Sequence, residues 1–248
     1  MKILLLDIES APNAAYVWGL FKQNISISQI TDSGYVLCWS AKWLGEDELF
    51  FDSVYKSKPK VMLKRIHKLL EAADAVIHYN GTRFDVPTLN KEFLLYRMAP
   101  PSTYRQIDLY ATAKNRFRFA SNKLDYIADQ LGVGKKHKHE GFELWVKCMN
   151  DDPEAWKTME LYNKQDVLLL EKVYAVFRPW IKNHPNVALY RESDGMTCPA
   201  CGSVELTRRG FAFTTTGKYQ RYCCDTCGHW SRSRKAIATH PELVSDRT

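Results

Sequence analysis

The sequence predicts an α/β protein, a mixed β-sheet flanked by helices, with a small metal-stapled module after it. Three observations carry this reading. The chain opens with an apolar run that ends in carboxylates, Asp7-Ile8-Glu9. Strand-like segments then give way to a strand and helix alternation and finally to helices, the order expected of a mixed sheet covered by helices. Near the end stand two C-x-x-C pairs, Cys198/Cys201 and Cys224/Cys227. A length of 248 residues allows one full α/β domain with something small beside it.

Lys2 to Ile8 reads as a buried strand whose carboxylates appear where the apolar run stops, a common place for a site on an α/β sheet. Tyr35 to Leu44 and Glu48 to Val54, rich in aromatic and aliphatic residues about Gly45-Glu46-Asp47, predict a hairpin. Lys60 to Ala73 has helical spacing through Val61, Leu63, Ile66, Leu69 and Leu70, and the short strand Ala75 to His78 follows. Phe84 to Met98 reads as a helix, because Pro87 falls in a first turn whose N–H groups have no helical partner. Pro100-Pro101 stops it. Gln106 to Leu109 predicts a last short strand, and helices are expected over Tyr110–Phe119, Leu124–Leu131, Phe142–Met149 and Glu154–Trp180. Periodicity is lost after Trp180, which places a linker at 183–195 between a domain of residues 1–182 and a cysteine module of 196–248.

Bulk properties narrow the setting. The net charge of +7 accompanies an acidic candidate centre, so positive charge is concentrated elsewhere, as a polyanionic partner requires. No stretch approaches the ~20 apolar residues of a membrane span. The apolar run of Met1 to Leu6 is broken by Asp7, short of the ~7 to 15 residues of a signal-peptide core. An intracellular protein, cytoplasmic or nucleoid-associated, is therefore expected. There disulfides are rare, so the seven cysteines need another role.

Three strings carry chemistry: Asp7-Ile8-Glu9, Asn80-Gly81-Thr82-Arg83-Phe84-Asp85 and Tyr162-Asn163-Lys164-Gln165-Asp166. The strand period of two puts Asp7 and Glu9 on one face. Helical i, i+4 spacing does the same for Tyr162 and Asp166. Asp85 follows a turn in which Gly81 permits unusual backbone angles and Asn80 can cap or hydrogen-bond the loop. Phosphodiester hydrolysis needs an activated water, neutralised charge at phosphorus and a stabilised leaving oxygen. Two Mg²⁺ or Mn²⁺ ions about 3.5 to 4 Å apart supply all three, and hard carboxylate oxygens hold them. With an ordinary pKa near ~10, the Tyr162 hydroxyl suits orienting a water rather than deprotonating it.

Over residues 1 to 180 the set resembles the DEDD exonucleases of the ribonuclease H-like superfamily, in the tyrosine subgroup that includes proofreading domains of DNA polymerases. Asp7 and Glu9 match the D-x-E motif, Asn80 to Asp85 the N-x-x-x-F-D motif, and Tyr162 to Asp166 the Y-x-x-x-D motif. The histidine subgroup places its histidine where this chain has Leu161. Ser10 stands where many relatives have threonine and keeps the hydroxyl. Leu124-Asp125-Tyr126-Ile127-Ala128 and Leu131-Gly132-Val133-Gly134-Lys135 look like the helix and loop before the third motif. The resemblance implies that Asp7, Glu9 and Asp166 hold one metal, that Asp7 holds the second with Asp85 reaching it through water, and that Tyr162 and Glu9 aim the nucleophilic water.

The two C-x-x-C pairs, roughly twenty residues apart, have the spacing of a four-cysteine zinc site, and the glycine after each pair eases the tight turn of the knuckle. The segment resembles a zinc ribbon, with Phe211–Thr216 and Tyr219–Tyr222 as hairpin strands about Gly217. Cys224, rather than its neighbour Cys223, completes a knuckle with Cys227. Cys38 and Cys148 lie in apolar contexts and are expected in the core. One structural Zn²⁺ would supply much of the stability of so short a segment.

Arg208, Arg209, Lys218 and Arg221 interleave with aromatics in this segment, a mixture suited to nucleic acid, although a solvated ribbon surface or a protein-docking ribbon has the same look. Arg116, Arg118 and Lys135-Lys136-His137-Lys138-His139 are further basic candidates for flanking a nucleic-acid path, although solvated faces have the same look, and Asn80 and Phe84 are candidate nucleic-acid contacts. The expected function is a metal-dependent 3′ to 5′ exonuclease, favouring DNA over RNA and releasing nucleoside monophosphates, its direction implied by the resemblance. A structure-specific endonuclease on the same fold and a non-catalytic nucleic-acid-binding adaptor remain as alternatives.

Overall fold

The computed structural model describes residues 1–135, 140–190 and 195–239. The chain begins with β1 (Ile3–Ser10), followed by a small pair, β2 (Ala14–Ala15) and β3 (Ile30–Asp32), and by the expected hairpin of β4 (Val36–Trp43) and β5 (Leu49–Ser53). Gly45 turns that hairpin with φ of 83°, a conformation that suits a residue without Cβ. Next come α1 (Pro59–Glu71), β6 (Ala75–His78), α2 (Asp85–Leu95) and β7 (Arg105–Asp108), then the helices α3 (Leu109–Arg116), α4 (Leu124–Gln130), α5 (Glu143–Met149) and α6 (Pro153–Phe177). Strands β8 (Leu206–Phe213), β9 (Lys218–Cys224) and β10 (Trp230–Arg232) end the description.

The main sheet has five strands in the order β5-β4-β1-β6-β7. β1 is central, antiparallel to β4 and parallel to β6, so the sheet is mixed as the sequence predicts. Its alternation sorts the core. Leu4, Leu6 and Ile8 pack with Met62, Leu63, Ile66 and Leu70 of α1 and with Leu89 and Phe93 of α2. A second cluster joins Leu37 and Cys38 of β4 to Leu144 and Cys148 of α5 and Ala155, Trp156, Met159 and Tyr162 of α6. Helix starts follow local chemistry: Pro59 opens α1, and the Asp108 side chain caps α3 by accepting the Ala111 N–H at 3.2 Å.

The chain divides into two compact units, Lys2–Tyr174 and another beginning at Ala175, so the division falls within the last turn of α6. The second unit holds a three-stranded antiparallel sheet, β10-β9-β8. Strand β10, at three residues, is too short to show alternation in sequence. Val187, within the stretch expected as linker, is buried and donates its N–H to Pro199 O at 2.8 Å.

Candidate active site

Strand pleating sends Asp7 and Glu9 to the face opposite Leu6 and Ile8, and that face receives α6. Asp166, on α6, completes a group in which Asp7, Glu9 and Asp166 each offer a carboxylate oxygen, all within 4.8 Å of one another. Asp166 is buried, at 2% exposure. Three hard-oxygen donors at this separation suit a divalent cation such as Mg²⁺ or Mn²⁺, which would offset their mutual repulsion. Two carboxylates on one strand and one on a helix are thus brought together across more than 150 residues of chain.

Asp85 joins from a third element. The ladder between β1 and β6 runs only from Ile3↔Ala75 to Leu5↔Ile77. Beyond it the Ile8 N–H donates to Asp85 Oδ1 at 3.1 Å, which sets this carboxylate beside the strand that carries Asp7 and Glu9. Burial raises the Asp85 carboxyl to about 7, against the lowering effect of the Ile8 and Asp85 backbone N–H groups, and Asp108 pushes the same way as burial.

The loop before Asp85 departs from expectation in one respect. Asn80 is the residue with positive φ, at 65°, a conformation that asparagine tolerates. Gly81 serves a different purpose: a Cβ there would lie 2.4 Å from the buried ring of His78. The Gly81 N–H donates to His78 Nδ1 at 3.0 Å, which leaves Nε2 to donate to Gln106 Oε1 at 3.1 Å. Burial lowers the His78 imidazole from its ordinary value, although Asp108 and Gln106 oppose the shift, so it stays neutral near pH 7. Asp108 accepts the Asn80 N–H at 3.0 Å and the Thr82 N–H at 3.4 Å, tying the loop to the end of β7. Phe84 precedes α2 and is 44% exposed.

Tyr162, one turn before Asp166 on α6, is 8% exposed and meets Trp145 edge to face with ring centroids 6.0 Å apart. Between them lies a residue that sequence reasoning passed over. Asn163 is fully buried and donates through Nδ2 to Asp7 Oδ2 at 2.6 Å. The i, i+4 pattern draws attention to Tyr162 and Asp166 and away from the next position, about 100° round the helix. A buried amide inside a Y-x-x-x-D string was the available signal.

Asp7, Tyr162 and Asp166 open on a cleft of about 610 Å³, walled by Tyr79, Asn80, Tyr110, Asn122, Lys123, Leu124 and Asp125. Tyr79 is fixed by its hydroxyl on Asn122 O at 2.6 Å and by an edge contact with Tyr110. The lysine that lines the cleft is Lys123, which the sequence reading did not select. Arg116 and Arg118 are exposed outside this lining. Lys135 pairs with Asp129 at 3.1 Å and offers its carbonyl to Gln165 of α6. Residues 136–139 of that basic run lie outside the described residues.

In the second unit the four cysteines converge as expected. Cys198, Cys201, Cys224 and Cys227 offer sulfurs within 4.8 Å of one another, with Cys198···Cys227 at 3.7 Å and Cys201···Cys224 at 3.6 Å. A tetrahedral zinc with Zn–S near 2.3 Å has S···S edges of about 3.8 Å, so the cluster fits a zinc ribbon. Burial disfavours the Cys224 thiolate, but N–H groups of Cys227 and Thr226 and the neighbouring thiols outweigh it and bring the thiol down to about 7. Cys223 stands outside the cluster, its Sγ 3.9 Å from Cys224 O. Arg208, Arg209 and Arg221 are exposed, and Lys218 is half-buried with Nζ 3.9 Å above the Phe211 ring. Cys38 and Cys148 are core residues, with burial raising both thiols, Cys148 to about 12.

Known proteins bear on this arrangement. Residues 31–178, more than half of the chain, match the model of the RNase_H superfamily. No curated protein sequence matches significantly. Among solved structures, a family B DNA polymerase from the hyperthermophilic archaeon Pyrobaculum calidifontis is similar in fold, with a TM-score of 0.54 and 16% identity. The match covers 72% of this chain and 24% of the polymerase chain, so this chain corresponds to about a quarter of the polymerase. Among the described residues no helix is long and apolar enough to cross a membrane. The chain belongs to the RNase_H superfamily, and its carboxylate cluster lies within the fold that this membership implies.

Proposed function

We propose that the protein is a metal-dependent 3′ to 5′ exonuclease of the DEDD type, tyrosine subgroup, which releases nucleoside monophosphates and favours DNA over RNA. The observation that carries the reading is the convergence of the Asp7, Glu9 and Asp166 carboxylates beside a cleft lined by Asp7, Asp166 and Tyr162, while Asp85 braces the strand next to them. Direction and subgroup rest on the resemblance of the three motifs.

In this reading Asp7, Glu9 and Asp166 hold Mg²⁺ or Mn²⁺, and Asp85 serves from one water away. Such ions, when bound, supply charge neutralisation at phosphorus and activation of the attacking water. Asn163 fixes the rotamer of Asp7 by its hydrogen bond to Oδ2. The Tyr162 hydroxyl orients the nucleophilic water with Glu9. Lys123, on the cleft wall, offers a cation to the phosphodiester, and Asn80 and Phe84 border the 3′-terminal nucleotide. Cys198, Cys201, Cys224 and Cys227 hold one structural Zn²⁺.

Digestion of DNA and RNA oligonucleotides, labelled at either end, with Mg²⁺ or Mn²⁺ tests the proposal. A ladder that shortens from the 3′ end in wild-type protein and disappears in Asp7→Ala is expected. Cutting of a circular single strand would instead establish an endonuclease, and the absence of any metal-dependent cleavage would leave a binding protein.

A further inference from the structure

The outer face of the small sheet is built unlike a solvated surface. Antiparallel register sets Arg221 of β9 directly opposite Arg232 of β10, and like charges opposite one another destabilise a sheet pair. Among the described residues neither arginine has a carboxylate in ion-pair reach. Each instead stacks diagonally across the strands on an aromatic ring: Arg221 Cζ lies 4.8 Å from the Trp230 centroid, and Arg232 Cζ 3.9 Å from that of Tyr219.

Strand parity puts these four side chains on one face, because the alternate residues of β9 face the other way: Cys224 joins the cysteine cluster and Tyr222 is buried. Arg221, Trp230 and Arg232 are exposed, Trp230 at 50%. Residues 195–239 hold seven Lys and Arg against two Asp and Glu, so most of the positive excess of the chain resides here. Arg221 Nε donates to Arg209 O at 3.0 Å and Arg232 Nη1 to Ser233 O at 3.3 Å, and the remaining N–H groups of each guanidinium are left for phosphate oxygens.

We propose that this face, Tyr219, Arg221, Trp230 and Arg232, binds single-stranded nucleic acid, the aromatics stacking on unpaired bases while the arginines meet successive phosphates. The proposal rests on the nuclease reading for the identity of the polyanion. Unpaired bases are required because a duplex hides its base faces from a flat aromatic surface.

The test uses the full chain carrying Asp7→Asn, so that substrate is not consumed, and a fluorescein-labelled oligothymidylate of about twenty nucleotides. Trp230→Ala is expected to weaken binding about tenfold with an unchanged salt slope, as loss of one stacking platform does. Arg221→Gln with Arg232→Gln is expected to weaken binding and to flatten log K against log salt by about 1.4, the loss of two single-strand phosphate contacts. Trp230→Phe, which keeps a ring in place, should retain most of the affinity and guards against a misfolded alanine variant. In the background with Asp7 intact, hydrolysis of thymidine 5′-monophosphate p-nitrophenyl ester should be the same in all three variants, since that substrate offers no chain to grip. Unchanged oligonucleotide affinity in both the Trp230→Ala and the double arginine variant overturns the proposal, as does duplex bound as tightly as single strand. If the oligonucleotide is bound through this face but wild-type protein cleaves nothing, the nuclease reading fails and the binding face stands.

Discussion

At Asp85, burial and hydrogen bonding pull in opposite directions. The raised carboxyl, about 7 in the fold against 3.8 ordinarily, means that the folded state disfavours the charge. The metal-free protein therefore loses stability as pH rises from about 3.8 through about 7, and the penalty is fully present above that. Asp85→Asn keeps an acceptor for the Ile8 N–H and removes the charge. It should raise the melting temperature of metal-free protein more at pH 8 than at pH 5, and saturating Mn²⁺ should shrink the gain; a gain independent of pH would contradict the assignment. Asn163→Ala, which frees the Asp7 carboxylate to rotate, should lower kcat about 10- to 100-fold, the usual cost of removing a group that orients a metal ligand. Tyr162→Phe is expected to reduce turnover by roughly 10² to 10⁴ in single-turnover assays, and an unchanged rate would remove the hydroxyl from the mechanism. Strand and helix periods made the pairing of Asp7 with Glu9 and of Tyr162 with Asp166 legible in sequence, while the meeting of Asp166 with Asp7 and Glu9 rested on the resemblance of the motifs, because it depends on how distant elements pack. Asn163 and Lys123 were not, since their roles depend on which neighbouring element arrives at that face.

Among the elements, the loop joining β6 to α2 shows where sequence reasoning met its limit. A glycine in a turn suggests freedom of φ, yet Gly81 is needed for room against His78, and Asn80 takes the left-handed conformation. Only packing distinguishes these two uses of glycine. Gly81→Ala should therefore cost about 1 to 3 kcal/mol, the range for overpacking, in urea denaturation. Its damage should extend to activity, because the same loop leads into Asp85. Helix starts and strand edges were predicted to within a few residues where proline, apolar periodicity or a side-chain cap marked them. β2, β3 and β10, at two or three residues each, carry no period to detect. In the cysteine module the knuckle geometry separates two neighbours that the sequence could only rank. Cys224→Ser should release zinc while Cys223→Ser retains it, as metal content after gel filtration will show.

For the whole molecule, the two units draw their stability from different sources. Lys2–Tyr174 has two apolar clusters on the faces of its sheet, whereas the cluster of the cysteine module is small and centred on its four converging thiols. Strong chelation should therefore open residues 196–239 to proteolysis while the larger unit keeps its cooperative melt. Loss of both together would mean that they fold as one. The position of β1 in the sheet has a consequence for time rather than space. At Leu4 and Leu5, where it is paired on both sides, the strand opens only when the sheet itself comes apart, so those amides belong to the slowest class in native-state hydrogen exchange. Asp7 and Glu9 lie just past that anchored stretch, paired with β4 on one side only, so the bond from the Ile8 N–H to Asp85 is what steadies the open edge of the strand beside them.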